Sequence, residues 1–127
     1  MSEKIMIVDD DPSIVRLIQY FLERESYEII IAGNGLQALK KAETEKPDLI
    51  MLDLMLPGVD GFEVCHRLRA NPKTEDMPIL MLSAKGDDTD KNEATKVGAS
   101  AYFTKPFTGP VLIEQVQELL NPKAEAN

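Results

Sequence analysis

Five short apolar runs, separated by segments of helical length, constrain the fold of this chain more than any other feature. The runs lie at residues 4–8, 28–32, 49–52, 79–82 and 101–104, and turn-forming residues bound them. Runs in which successive residues are apolar are typical of strands covered on both faces. Because such runs alternate with helix-length crossovers, the sequence predicts a single doubly wound α/β domain, with a five-stranded parallel sheet between two layers of helices.

The segments between the runs carry apolar residues at helical spacing, which predicts five helices. Asp11 and Thr108 suit the N-cap positions of the first and last helices, and Pro12 suits the first helical position. The segment at residues 87–97 is only weakly apolar, so we expect it to be the least firmly docked helix. The apolar positions include Ile14, Leu17, Ile18 and Phe21 in the first helix, Leu36, Leu39 and Ala42 in the second, Phe62, Cys65 and Leu68 in the third, and Ala94 and Val97 in the fourth.

Composition excludes several functional classes. With 22 acidic and 14 basic residues the net charge is −8, which disfavours nucleic acid as a direct partner. No run approaches the roughly 20 apolar residues of a membrane span, and the first residues lack a signal-peptide hydrophobic region, so we expect a cytoplasmic protein. The single Cys65 forms no internal disulfide and lies on an apolar stripe, which predicts a core residue.

Five polar residues are left unexplained by core, cap or turn roles: Asp9, Asp10, Asp53, Ser83 and Lys105. Each lies at the C-terminal end of a predicted strand or just after it. In a parallel sheet these ends share one edge, where ligands bind. Taken singly, each residue is explained as well by a turn, a cap or an exposed side chain. Taken together, they predict one polar cleft.

The residue types indicate phosphoryl chemistry. Three carboxylates brought close together repel, so the site favours a cation. Oxygen ligands without His or Cys select a hard divalent ion such as Mg²⁺. A carboxylate beside it can act as a nucleophile toward phosphorus, while Lys105 and Ser83 supply positive charge and a hydroxyl for the phosphoryl oxygens.

The motifs that carry these residues resemble the receiver domain of two-component response regulators. They are VDD at residues 8–10, LDLMLPGVDG at 52–61, SAK at 83–85 and TKPF at 104–107, and the resemblance covers about residues 4–120. It implies the flavodoxin-like strand order 2-1-3-4-5. It also implies that Asp53 accepts a phosphoryl group from a phosphohistidine, and that the donor is a sensor histidine kinase or a histidine phosphotransfer protein.

The same resemblance implies a role for each site residue. Asp10 would bind Mg²⁺ directly, Asp9 would help through water, and the backbone carbonyl of Met55 would be a further ligand beside Asp53. Ser83 and Lys105 would hold the phosphoryl oxygens, and a cis peptide bond would join Lys105 to Pro106. Ser83 and Tyr102 would change position together on phosphorylation. The fourth helix, fifth strand and fifth helix would then form the surface that binds a downstream protein target.

The resemblance also implies a domain organisation for the chain. We expect one receiver domain over residues 1–127, with a core at about 4–120 and a tail at 121–127. The surface around Tyr102 is comparatively neutral, with Ser100, Ala101, Gln115 and Gln117, which disfavours a dimer held by charge networks and favours a chemotaxis-like or relay-like receiver. The alternative is that the chain is the receiver part of a longer multidomain regulator.

Three other classes of function remain as alternatives. A metal-dependent phosphatase with an aspartyl nucleophile would need an Asp two residues after it, where this chain has Met55. A flavin-binding domain would need a Ser/Thr-rich loop after the first strand, where this chain has acids. A receiver-shaped adaptor that is never phosphorylated would not need all five site residues. We therefore expect self-catalysed phosphorylation and dephosphorylation of Asp53, without ordinary enzyme turnover.

Overall fold

A five-stranded parallel sheet forms the centre of the molecule, in the strand order β2-β1-β3-β4-β5. The computed structural model describes residues 3–83 and 88–121. The strands are β1 (Lys4–Val8), β2 (Glu28–Ala32), β3 (Leu49–Asp53), β4 (Ile79–Ser83) and β5 (Ala101–Thr104). The helices are α1 (Pro12–Arg24), α2 (Gly35–Glu45), α3 (Gly61–Ala70), α4 (Asp88–Lys96) and α5 (Gly109–Leu120). The predicted fold class and strand order are confirmed.

Successive strand residues face opposite helical layers, which is why the runs are continuously apolar. In β1, Met6 and Val8 pack on the side of α2 and α3, whereas Ile5 and Ile7 pack on the side of α1 and α5. All four side chains are fully buried. Burial of each such side chain contributes about 1.5–3 kcal/mol. The two apolar cores therefore fix both faces of the sheet and leave its C-terminal edge for polar residues.

Side-chain caps begin the helices that follow this edge. Asp11 accepts a hydrogen bond from the Ser13 N–H and Thr108 accepts one from the Val111 N–H, which confirms both predicted caps. Asn34 and Asp60 cap α2 and α3 in the same way. Each cap satisfies an otherwise unpaired backbone donor and sets the point at which the chain turns from strand to helix.

Two of the apolar helix positions that the sequence groups with core residues do not face the core. Leu17 in α1 is 42% exposed and Leu36 in α2 is 64% exposed, although helical spacing groups them with core residues. The sheet covers a narrower stripe of each helix, centred on Ile18 and Leu22 in α1 and on Ala38 and Ala42 in α2. Cys65 is buried as predicted, and its thiol donates to the Val97 carbonyl oxygen over 3.4 Å.

Helix α4 makes few apolar contacts, as its sequence predicts. Within residues 91–96 only Ala94 is buried, and Val97 just after the helix is partly buried. Gly98 follows with a positive φ of 96°, a conformation that glycine adopts readily and that ends the helix. The predicted first residue of this helix, Asp87, the predicted motif residues Ala84 and Lys85, and the predicted tail beyond Asn121 lie outside the described residues.

No helix in the described ranges is both long and apolar enough to span a bilayer.

Candidate functional site

The C-terminal edge of the sheet gathers the polar residues that the sequence singles out. Asp9 directly follows β1, Asp53 ends β3, Ser83 ends β4 and Lys105 directly follows β5. The parallel register aligns these ends, since Asp53 pairs with Leu82 and Ser83 pairs with Thr104. The convergence predicted from the ends of four separate strands is therefore observed.

Three carboxylates lie close enough to bind one cation. An oxygen from each of Asp9, Asp10 and Asp53 lies within 4.8 Å of the other two. Asp9 and Asp53 are buried, at 3% and 5% exposure, whereas Asp10 is exposed. This combination of two buried acids and one open to solvent fits a hard divalent cation that keeps several water ligands, as Mg²⁺ does.

The Lys105 ammonium lies between the two buried acids. Its Nζ is 3.0 Å from Asp9 Oδ2, to which it donates, and 3.6 Å from Asp53 Oδ1. The other oxygen of Asp9 accepts the Asp11 N–H over 2.9 Å. Both oxygens of Asp9 therefore accept hydrogen bonds within the protein, whereas Asp10 is exposed. The water-mediated part of Asp9 in metal binding stays a prediction.

The carboxyl of Asp53 has a raised pKa. Burial, which disfavours the ionised form, and the neighbouring charge of Asp9 raise its pKa from 3.8 to about 6. Lys105 and the Met55 N–H oppose this rise by stabilising the carboxylate, and Asp10 adds to it. Among the described residues, three carboxylates beside Lys105 give a net charge of −2 when all are ionised, which a bound divalent cation would neutralise.

The β3–α3 loop (residues 54–60) borders the acids and is fixed at both ends. The Leu54 N–H donates to the Leu82 carbonyl over 2.9 Å, and the Gly61 N–H donates to the Leu54 carbonyl over 3.1 Å. Between them, the Met55 N–H donates to Asp53 Oδ1 over 3.3 Å while the Met55 side chain is 74% exposed. Met55 thus belongs to the site through its backbone, and metal binding by its carbonyl stays a prediction.

Ser83 and Tyr102 occupy the positions that the sequence predicts for them. Ser83 is buried at the end of β4, and its carbonyl accepts the Lys105 N–H over 2.6 Å. The Lys105–Pro106 peptide bond is cis, as predicted. Tyr102 is partly buried in β5 and packs against the core on the α2–α3 side of the sheet. Their joint movement stays a prediction.

Gly61 is a site residue that sequence reasoning did not identify. A Cβ atom at this position would collide with the Asp53 carbonyl oxygen and with Leu54 Cα. The absence of a side chain lets the first turn of α3 pack directly against the end of β3. The signal in the sequence is a glycine immediately after the capping Asp60, but its meaning appears only when the neighbouring strand is known.

Sequence comparison gives a family match over most of the chain. Residues 5–117 match the family described as the response regulator receiver domain. The alkaline phosphatase synthesis transcriptional regulatory protein PhoP of Bacillus subtilis (strain 168) is 52% identical over 120 residues, which are 94% of this chain and 49% of that protein. The chain spans about half the length of the curated relatives it matches.

Structural comparison gives the same result. The chemotaxis protein CheY4 of Vibrio cholerae superposes with a TM-score of 0.90 at 32% identity, covering 94% of this chain and 100% of that one. The receiver domain of the sensor histidine kinase PA1611 of Pseudomonas aeruginosa PAO1 superposes with a TM-score of 0.89 at 27% identity, covering 95% and 99%. That structure has a magnesium ion coordinated in its active site cleft.

Proposed function

Since the chain belongs to the response regulator receiver domain family, we propose that it is the phosphoacceptor domain of a two-component system and that Asp53 is the residue phosphorylated. One observation carries the proposal: Asp9, Asp10 and Asp53 place carboxylate oxygens within 4.8 Å of one another, with Lys105 between the two buried acids. This arrangement of acids and one lysine suits phosphoryl transfer, which depends on positioning and charge neutralisation.

In the proposed reaction Asp53 is the nucleophile. One carboxylate oxygen attacks the phosphorus of a phosphohistidine, the new O–P bond forms as the P–N bond breaks, and the imidazole leaves with the bonding electron pair and takes up a proton. A bound cation would lower the pKa of Asp53 and so favour the ionised form of the attacking oxygen. The donor is a sensor histidine kinase or a histidine phosphotransfer protein.

Mg²⁺ is the proposed cofactor, and when bound it would neutralise the negative charge that the phosphoryl oxygens and the acids bring together. Asp10 and Asp53, with the Met55 carbonyl, would hold it, and Asp9 would do so through water. Lys105, already 3.6 Å from Asp53 Oδ1, would pair with a phosphoryl oxygen. Ser83, at the end of the adjacent strand, would donate its hydroxyl to another.

The proposed output is a change at the surface formed by α4, β5 and α5. Ser83 and Tyr102 lie on neighbouring strands, since Met81 pairs with Tyr102 and Ser83 with Thr104. A shift of Ser83 toward the phosphoryl group would be transmitted along β4 and β5 to Tyr102 and to the sparsely anchored α4. A downstream protein target would bind the altered surface. Because an ATP-dependent kinase supplies the phosphoryl group, the proposal places the chain in the cytoplasm.

The wider activity of the protein is part of the proposal. The relative in Bacillus subtilis is named a transcriptional regulatory protein and is about twice as long as the matched region. If this chain is the receiver part of such a regulator, contact with DNA would come from a second domain, because the receiver has a net charge of −8.

An aspartyl-phosphate phosphatase is the competing enzyme class. The position two residues after Asp53 is Met55, whose exposed thioether cannot act as a general acid or base. We therefore propose that turnover is limited to slow hydrolysis of the phosphoryl group on Asp53 itself.

The test is incubation with acetyl phosphate in Mg²⁺ or in EDTA, followed by intact mass and by an assay with p-nitrophenyl phosphate. The proposal predicts one phosphoryl group per chain in Mg²⁺, none in EDTA, and no turnover of p-nitrophenyl phosphate above background. Sustained turnover would favour the phosphatase, and an unmodified chain in Mg²⁺ without turnover would contradict both functions.

A further inference from the structure

Helix α2 begins outside the acidic cluster but against the loop that borders it. Gly35, the first residue of α2, is buried and faces the β3–α3 loop. A Cβ atom built at Gly35 would lie 2.6 Å from the Val59 carbonyl oxygen and 2.7 Å from Val64 Cγ2. Distances below 3 Å are repulsive, and the first of these partners is backbone, which cannot rotate away. The glycine thus permits backbone contact between α2 and the loop.

The beginning of α2 is itself rigidly held. Asn34 Oδ1 accepts the Gln37 N–H over 2.9 Å, and Gln37 Oε1 accepts the Gly33 N–H over 3.0 Å. These reciprocal bonds satisfy backbone donors on both sides of the helix start. Ala38 and Ala42, which follow Gly35 on the same face, are fully buried against the core. The start of α2 is therefore held too firmly to shift away from the loop when a Cβ is introduced at Gly35.

The loop is also held by apolar side chains and by its two ends. Leu54 and Leu56 are buried in the core on the α2–α3 side, and between them Met55 is exposed. Gly58 adopts a positive φ of 75°, and Asp60 caps α3. The close approach of Gly35 to the Val59 carbonyl is thus a backbone contact that holds the loop from the side of α2, beside the restraints at Leu54 and Leu56.

We infer that Gly35 is a positioning residue for the site: the capped start of α2 sets the position of the β3–α3 loop and, through it, of the Met55 backbone beside Asp53. The inference extends the proposed function, because it concerns the affinity of the same site for Mg²⁺. Gly35 touches neither the acids nor the cation. It acts through Val59, four residues along the chain from Met55.

The experiment compares Gly35→Ala with Gly33→Ala, a matched glycine only two residues away. A Cβ at Gly33 would meet nothing nearer than Gln37 Oε1 at 3.9 Å, and its N–H would remain. Each variant is titrated with Mg²⁺ and followed through the amide resonances of residues 53–61, with no phosphodonor present. We expect Gly35→Ala to lose Mg²⁺ affinity by on the order of tenfold, as changes behind metal ligands commonly do, and Gly33→Ala to match the parent.

Two further variants separate loop position from helix packing and from loss of folding. In Gly35→Ala/Val64→Ala the clash with the Val64 side chain is removed but the Val59 carbonyl remains, so we expect Mg²⁺ affinity to stay low. Recovery of the affinity would assign the effect to packing against α3 and overturn the inference.

Asn34→Ala adds no bulk and removes the α2 cap, so we expect faster hydrogen exchange at Gly61, whose N–H donates to the Leu54 carbonyl of the loop. Unchanged exchange at Gly61 would overturn the inference.

Failure of the inference differs from failure of the proposed function. If the parent binds Mg²⁺ and Gly35→Ala binds it equally well, Gly35 does not position the site and the proposed function stands. If the parent itself gives no Mg²⁺-dependent shifts in residues 53–61, the proposed metal site fails, and with it the inference.

Discussion

At the scale of single residues, the charges around Asp53 determine what the site can bind. Among residues 3–83 and 88–121, two buried acids and one exposed acid share Lys105, which is closer to Asp9 than to Asp53. Burial of Asp53, together with the charge of Asp9, raises its pKa to about 6 without a cation. The group proposed to react is the one whose charge the protein alone neutralises least well, which is typical of sites that await a ligand.

This imbalance predicts the pH dependence of stability in EDTA. Between about pH 4 and pH 6 folded Asp53 retains its proton while the unfolded chain has lost it, so the free energy of unfolding falls as pH rises through this window. Asp53→Asn removes the buried charge and should raise the free energy of unfolding at pH 7 by on the order of 2 kcal/mol. Urea unfolding of both proteins from pH 4 to pH 8 tests this. Parallel pH profiles for parent and variant would contradict it.

Lys105 should affect cation binding and phosphorylation in opposite directions. Because its ammonium lies among the same acids, Lys105→Ala should raise Mg²⁺ affinity by about three- to tenfold, yet slow phosphorylation by acetyl phosphate by on the order of a hundredfold. Calorimetric Mg²⁺ titration and the rate of phosphoryl gain measure the two effects. Lys73→Ala is the control, since Lys73 pairs with Glu43 on the surface and its side chain is 71% exposed. Weaker Mg²⁺ binding in Lys105→Ala than in the parent would contradict this prediction.

At the scale of secondary-structure elements, the two ends of the proposed output surface differ in how firmly they are held. The connection after α4 is bound by Arg69 of α3, whose guanidinium donates to the Gly98 carbonyl, the Glu75 and Met77 carbonyls and Ser100 Oγ. Ser100 Oγ in turn accepts the Ile79 N–H at the start of β4. Helix α4 itself is sparsely anchored. Any movement of α4 thus takes place next to a fixed connection.

Arg69 should therefore matter for stability far more than a surface arginine of the same helix. Arg69→Ala leaves several backbone carbonyls without their charged donor, and we expect a loss of about 2–3 kcal/mol in the free energy of unfolding. The matched control is Arg67→Ala, which removes only an exposed pair with Glu63 and should change stability by about 0.5 kcal/mol or less. Urea unfolding compares them, and equal losses would refute the role given to Arg69.

Helix α4 should be the element that responds to phosphorylation. With Mg²⁺ and beryllofluoride, which mimics the phosphoryl group, we expect amide exchange in residues 91–96 to change by about threefold, an effect below 1 kcal/mol on local opening. Strand β2, at the far edge of the sheet, is the reference and should not change. Identical exchange in α4 with and without the mimic would show that this helix is not part of the switch.

The elements were largely predictable from sequence, whereas several contacts were not. The predicted strands agree with the observed ones because a short, continuously apolar run between turns has few alternatives to a strand that is buried on both faces. Leu17 and Leu36 were assigned to apolar stripes because helical spacing does not tell which of two adjacent stripes the sheet covers. The pairing of Lys105 with Asp9, and the close approach at Gly35 and Gly61, require distances between segments far apart in the sequence.

At the scale of the whole molecule, one domain contains every residue that the proposed chemistry needs. The acids and the lysine come from the ends of three strands, β1, β3 and β5, which only the assembled sheet brings together. The curated relatives that it matches are about twice as long as the matched region. The acidic surface suits a domain that signals to proteins.

The measurement that tests the central claim most directly is the site of phosphorylation. Parent, Asp53→Asn and Asp60→Asn are incubated with acetyl phosphate and Mg²⁺ and compared by intact mass. Asp60 is the control because it is a nearby acid whose role is to cap α3. The account predicts one phosphoryl group on the parent and on Asp60→Asn and none on Asp53→Asn. A phosphoryl group retained by Asp53→Asn, or absent from the parent, would contradict it.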